Sequence, residues 1–267
     1  MIIDYDKRTI TFHQSWLNDY YLCPERTRRT LLDPAANVGS DATILGTGMH
    51  AYVEHRLLGE DIEVSMAAGF NALDHEFSLP HKIVQMNEDQ VYTFLPTMCA
   101  SFEADHLPNI PRGGLTEHKF SIALGEWEGW TIILEGTIDY VTPGGVLFDW
   151  KTAGQGYKQW EKERWAIQPT AYCAAAVTLG LATFPVEWKY AIVLKSPLSR
   201  PKTQLVEFQR TKAHTLWLRE QIWSILQATI GNRDALALDA PWVKNDQHAL
   251  CSEKWCPFWS TCKGKYL

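Results

Sequence analysis

Asp139, Asp149 and Lys151 sit close together in the chain, in the run Gly136-Thr137-Ile138-Asp139 and its continuation Leu147-Phe148-Asp149-Trp150-Lys151-Thr152. Two facing carboxylates repel, and one is pushed toward protonation unless a cation lies between them. Hard oxygen donors suit Mg²⁺ or Mn²⁺. An amine beside such an ion can orient a water or steady charge on a phosphate oxygen. This chemistry requires the three side chains to share a face, so the elements that carry them decide whether it is available.

Residues 131–134 are β-branched and apolar, and Val146 to Phe148 form a second short apolar run, with Thr142-Pro143-Gly144-Gly145 as a turn between them. The pattern predicts a β-hairpin. Side chains on a strand alternate, so Asp149 and Lys151 point the same way. Asp139 joins them if the loop is odd. A three-residue loop, Pro143 to Gly145, pairs Thr142 with Val146 and sets Asp139 opposite Asp149, with Gly145 supplying the left-handed residue at the loop's end. A two-residue loop would shift the register by one and turn the carboxylates to opposite faces. The odd loop is expected.

A chain of 267 residues with 46% apolar content and 12 tryptophans can bury a sizeable core. It has neither a long apolar run nor a basic-then-apolar start, which predicts a cytoplasmic protein without membrane spans. The net charge of −6 argues against non-specific coating of nucleic acid, but it leaves room for local basic tracks at Arg26-Arg28-Arg29, Lys195-Arg200-Lys202 and Lys263-Lys265. Cys251, Cys256 and Cys262 cluster at the end of the chain, while Cys23, Cys99 and Cys173 are scattered. In a cytosolic chain such a cluster points to metal before disulfide. Cys99 and Cys173 fall among apolar neighbours and read as core.

Further signals place helices at 15–22, with Ser15 as N-cap and a stop at Cys23-Pro24, and then at 26–32, 46–58, 64–78 and 85–106. The helix at 46–58 carries His50 and Glu54 on one face. Strands follow at 118–124, 131–141 and 146–151. A helical stretch at 160–179 is interrupted at Pro169, with strands at 186–194 and 204–209 and an amphipathic helix at 211–230 after it. Gln168 and Tyr172 share a face only if Pro169 lies in the first helical turn. The outline is an α/β core with a helical N-terminal insertion.

In order, the chain offers Cys23-Pro24, Gly46-x-x-x-His50, Glu117, Gly136-x-x-Asp139, Asp149-x-Lys151, Gln168-x-x-x-Tyr172 and the terminal cysteine triplet. No one of these is specific, but their order and spacing together resemble the RecB-like, iron–sulfur branch of the PD-(D/E)XK nuclease superfamily. That branch includes the CRISPR-associated RecB-like exonucleases, the AddB nuclease domain and phage-type exonucleases. The resemblance runs from about residue 13 to residue 262. It implies a restriction-endonuclease-like core, a mixed β-sheet flanked by helices, in a single nuclease domain over 1–267. Within it, residues 13–110 are mainly helical, 111–230 form the nuclease core, and 231–267 are a cluster-binding tail closing onto Cys23.

The resemblance implies that His50, Asp139, Asp149 and the Trp150 carbonyl bind Mg²⁺ or Mn²⁺, while Lys151 positions water and steadies the scissile phosphate. Gln168 and Tyr172 match the family's Q-x-x-x-Y signature beside the active site, and Glu117 corresponds to an acidic residue on the first core strand. Cys23, Cys251, Cys256 and Cys262 match a ligand set for a structural 4Fe-4S cluster. The spacing Cys251-x-x-x-x-Cys256 is longer than the usual two intervening residues, which keeps tetrahedral zinc as the alternative. The implied activity is metal-dependent DNA exonuclease action, from single-stranded ends, in recombination and repair, phage DNA processing or CRISPR-type adaptation, with a protein partner in such a system. The competing reading is a non-cutting nucleic-acid-binding or adaptor subunit that keeps the fold. An electron-transfer role for the cluster is a third reading.

Overall fold

The structure is a computed structural model, and it describes residues 1–36, 38–230, 238–247 and 249–266. In chain order its strands are β1 (Ile2–Asp4), β2 (Thr9–His13), β3 (Gly39–Ser40), β4 (His81–Lys82), β5 (Leu115–Trp127), β6 (Trp130–Val141), β7 (Leu147–Ala153), β8 (Val186–Leu194) and β9 (Thr203–Arg210). Its helices are α1 (Gln14–Leu22), α2 (Pro24–Leu32), α3 (Asp41–Leu57), α4 (Ile62–Ser78), α5 (Glu88–Asp105), α6 (Gln159–Trp165), α7 (Ile167–Thr178) and α8 (Lys212–Thr229). The chain divides into two compact units, one of residues 1–38, 121–136 and 213–267 and the other of residues 39–120 and 137–212.

The second unit holds the central strands. β7 pairs antiparallel with the end of β6 and parallel with β8, and β8 pairs antiparallel with β9. This is a mixed sheet flanked by helices, as in a restriction-endonuclease-like core. Parallel neighbours need a crossover, and α6 and α7 supply it between β7 and β8. β7 is buried along most of its length, and Phe148 and Trp150 pack in one core with Tyr140 and with Ile44, Met49 and Phe102 of the helices. Cys99 and Cys173 are both fully buried, as their apolar neighbours predict.

α3 and α4 approach closely because both are glycine at the crossing. A Cβ on Gly69 would stand 3.1 Å from the Gly48 carbonyl oxygen, and one on Gly48 would meet Leu73 at 2.7 Å. α4 begins at Asp61, whose carboxylate accepts from the Val64 N–H at 2.8 Å, and α5 begins with a capping box between Asn87 and Gln90. In the first unit β1 pairs antiparallel with β2, and β2 pairs parallel with the first half of β6.

Two local expectations are corrected. The N-cap of α1 is His13, with no side-chain cap bond, and Ser15 lies inside the helix. Parallel pairing of β2 through His13 carries the extended backbone right up to Gln14, so the helix starts where the strand ends. The helical stretch after residue 159 breaks at Ala166, which has extended backbone at ψ 120°, and not at Pro169. Pro169 falls in the first turn of α7, where its missing N–H has no intrahelical acceptor to lose. The tail expected over 231–267 lies outside the described residues at 231–237, 248 and 267.

Candidate active site

The hairpin has the odd loop. Val141 faces Leu147 and Tyr140 faces Phe148, while the Thr142 N–H donates to the Val146 carbonyl and the Gly145 N–H to the Thr142 carbonyl, each at 2.9 Å. Gly145 has φ +80°, and a Cβ there would stand 3.1 Å from the Leu181 carbonyl oxygen. Glycine therefore fixes the loop length and, through it, the register that sets Asp139 opposite Asp149. Beyond the ladder, the Trp150 N–H donates to Asp139 Oδ2 at 2.9 Å, so a carboxylate serves as acceptor for a backbone donor of β7.

Asp149 is fully buried. Its Oδ2 lies 2.5 Å from Lys151 Nζ, and its Oδ1 accepts from Gln168 Nε2 at 2.6 Å. α7 brings Gln168 and Tyr172 to the same side, and the Tyr172 ring stands edge-on to Phe120 with centroids 5.4 Å apart. Burial, then the charges of Asp149 and Asp139, push the Tyr172 hydroxyl up to about 12.

His50 projects from α3 into the same place. Its Nε2 lies 3.0 Å from the Trp150 carbonyl oxygen, and its Nδ1 is 3.6 Å from Asp139 Oδ2 and 3.8 Å from Glu117 Oε1. Among the described residues, His50, Glu117 and Asp139 are the one trio of metal-type donors whose atoms all lie within 4.8 Å of one another. Burial disfavours the His50 imidazolium, but Asp139 and then Glu117 outweigh it and raise the ring to about 9. Asp139 moves against the usual carboxylate trend, because burial and then the Asp149 charge lift it to about 7 despite His50 and Lys151 nearby. Burial alone would lower the Lys151 ammonium, and Asp149 and Asp139 raise it above its ordinary value. Two buried carboxylates, with an imidazole and a third carboxylate beside them, form a donor set that suits a divalent cation.

Glu117 reaches the group at a conformational cost, with φ +44° inside β5, a region L-residues rarely adopt outside turns. The cleft in front of the group has a volume of about 530 Å³, lined among others by Thr43, Thr47, Glu54, Lys151 and Thr152. Glu54 shares the His50 face of α3, a placement legible in the helical spacing. Tyr157 and Lys162, which follow β7, carry no motif and were not legible. Both belong to the electrostatic environment of Lys151 and Asp149.

In the first unit, Cys23, Cys251, Cys256 and Cys262 line one cavity of about 180 Å³ together with Arg26, Arg29, Lys244 and Lys263. Cys23 is the hinge between α1 and α2, capping both. Burial raises the Cys251 thiol, Lys263 opposes this, and the other three thiols add to it. The sulfurs share the cavity without any three of them closing to within 4.8 Å. Four of the eight cations in the basic runs are paired with acids. Arg28 and Arg29 bind Glu25, Arg200 binds Asp105, and Lys263 faces Asp246. No helix among the described residues is long and apolar enough to cross a membrane.

Comparison with known proteins bears on the fold and the family. A solved structure from Eubacterium rectale, described as a candidate exonuclease, superimposes with a TM-score of 0.57 over 92% of this chain and 88% of its own, at 14% identity. The structure of SSO0001 is a more distant likeness, with TM-score 0.37, 10% identity and coverage of 82% and 77%. No curated protein matches the chain by sequence. The family model for the PD-(D/E)XK nuclease superfamily matches residues 12–263, and with nearly its whole length covered the chain belongs to that superfamily.

Proposed function

We infer that the chain is a Mg²⁺- or Mn²⁺-dependent deoxyribonuclease that hydrolyses phosphodiester bonds from single-stranded DNA ends. The observation that carries this reading is the convergence of His50, Glu117 and Asp139 within 4.8 Å, beside Asp149 and Lys151. In this reading His50, Asp139, Asp149 and the Trp150 carbonyl hold the metal, with Glu117 as a further acidic donor. The ion supplies Lewis acidity and neutralises charge on the scissile phosphate. Lys151, braced against Asp149, offers a fixed cation to the attacking water and the phosphate oxygens. Gln168 holds the Asp149 carboxylate in one orientation, and Tyr172 packs behind it.

Cys23, Cys251, Cys256 and Cys262 hold a 4Fe-4S cluster in this reading, and its role is to tie the terminal segment to the α1–α2 hinge. No three of the sulfurs close to within 4.8 Å of one another, whereas a single tetrahedral ion with Zn–S bonds of about 2.3 Å brings them to about 3.8 Å, and this spacing supports the cluster over zinc.

The test is cleavage of end-labelled linear and circular DNA with either metal, in wild type, Asp149→Ala and Lys151→Ala. Loss of product in both variants, with folding retained, is expected. Wild-type protein that cuts no form of DNA with either metal overturns the reading. Iron and acid-labile sulfide in the anaerobically purified protein are expected for the cluster, and stoichiometric zinc in their place overturns that part.

A further inference from the structure

The segment after β7 carries two large aromatic rings with no core to join. Trp160 and Trp165, at the two ends of α6, are 53% and 59% exposed. They meet each other edge-to-face with centroids 5.2 Å apart. An exposed indole pair is costly to keep in water.

The helix that presents them is firmly anchored. The fully buried Arg210 donates from Nη2 to the carbonyls of Lys162 and Ala166 at 3.1 and 3.2 Å, and from Nε to Thr170 Oγ1 at 2.9 Å. Gln159 Nε2 donates to the Glu207 carbonyl at 3.1 Å. Ahead of the helix, the Gln204 side-chain amide both accepts from the Tyr157 N–H (2.7 Å) and donates to the Tyr157 carbonyl (2.8 Å), which fixes the loop leaving the candidate active site.

Cations interleave with the rings. Lys158 Nζ lies 5.9 Å from the Trp160 ring centre, and Lys162 Nζ lies 3.9 Å from that of Tyr157. Lys158 is also paired with Glu161 at 3.1 Å, and Glu163 is exposed, so α6 is not a strongly positive surface. Aromatic area is what it offers in excess. The two indoles are inclined at 70°, so each offers its own face, and Lys162 of the same helix lies within electrostatic reach of Lys151 and Asp149. A sequence-tolerant π-face is one means by which proteins hold unpaired bases, because every base has a face to stack and paired bases do not present theirs.

We propose that Trp160 and Trp165 form a stacking ledge for bases of a single-stranded nucleic acid whose backbone enters the adjacent site. The ledge rests on the reading of that site as a nuclease for single-stranded ends and assigns the side chains that hold the unpaired bases near the scissile bond. Trp160 and Trp165 grip the bases, while Lys158 and Lys162 face the backbone.

Fluorescence anisotropy with end-labelled oligo(dT) in EDTA, where binding is measured without cutting, tests the ledge on the full chain. Trp160→Ala and Trp165→Ala are each expected to weaken binding about ten-fold, and the Trp→Phe variants to retain most of it. An abasic oligonucleotide of the same length is expected to bind wild type weakly and to lose nothing more in the variants. Unchanged melting temperatures separate a lost contact from a lost fold. Oligo(dT) binding by Trp160→Ala/Trp165→Ala equal to that of wild type overturns the ledge and assigns the surface to some other partner, such as a protein helix. Equal losses on normal and abasic strands overturn it too, since stacking needs bases. The nuclease reading fails by a different observation, absence of product from wild type with Mg²⁺ or Mn²⁺, which the binding assay does not measure.

Discussion

Replacing Asp139 with asparagine is expected to stabilise the metal-free protein while removing its response to metal. The carboxyl rises from 3.8 to about 7, with burial and the neighbouring Asp149 as the causes. Ionising a group so shifted costs the folded state about 4 kcal/mol. Its sign is the reverse of the usual carboxylate case. The folded chain holds the proton more tightly than the unfolded chain, so the stability contributed is complete below about pH 3.8 and lost as pH climbs through 7. His50 adds to the same trend, since its pKa rises from 6.5 to about 9 and its contribution is lost across that interval.

Asparagine retains an oxygen for the Trp150 N–H and carries no charge, but it forfeits attraction to His50 and Lys151. The net gain at pH 8 is therefore expected to be about 1–3 kcal/mol, or roughly 2–10 °C in melting temperature for a chain of this size. Ligation requires the ionised carboxylate, so Mn²⁺ should raise the wild-type melting temperature more as pH increases from 5 to 8. It should barely move Asp139→Asn at either pH. Thermal melts at both pH values, with and without Mn²⁺, read all of this. A metal-free Asp139→Asn protein less stable than wild type at pH 8 would refute the reasoning, as would a Mn²⁺ response that does not grow with pH.

Two more substitutions probe how each centre is held. Gln168→Ala removes the 2.6 Å bond to Asp149 Oδ1 and should lower metal affinity or cleavage about 10–100-fold, measured by metal titration of the rate. Glu25→Ala leaves Arg28, only 9% exposed, without its two-bond partner. It should destabilise the protein by about 3–5 kcal/mol in urea unfolding. Burial alone would raise Glu25, but bonds from Arg28, Arg29 and the Trp242 N–H hold it at about 2. Its contribution is therefore present above pH 4.5 and lost as pH falls toward 2. A wild-type acid limb identical to that of Glu25→Ala would contradict this.

Several features were legible in the sequence because their causes are local. Pro143-Gly144-Gly145 fixes a turn with a positive φ at its end, and that alone sets which side of β7 faces Asp139. Alternation along a strand puts Asp149 and Lys151 together whatever surrounds them. The break at Cys23-Pro24 and the burial of Cys99 and Cys173 follow equally from nearest neighbours. The tertiary structure decided what depends on distant chain. His50 reaches the Trp150 carbonyl because α3 packs on the core over β7. Glu117 is drawn into the left-handed region within a strand, which no propensity would suggest. The parallel pairings of β2 with β6 and of β7 with β8 join segments separated by long crossovers, so no local pattern encodes them. At the helix break, Arg210, a buried residue of β9, binds the carbonyls of Lys162 in α6 and of Ala166 at the break itself, partners no local pattern would name. Local sterics fix turns and faces from a few neighbouring residues, whereas the partners of a carbonyl, a charge or a strand edge are chosen only once the whole core has closed.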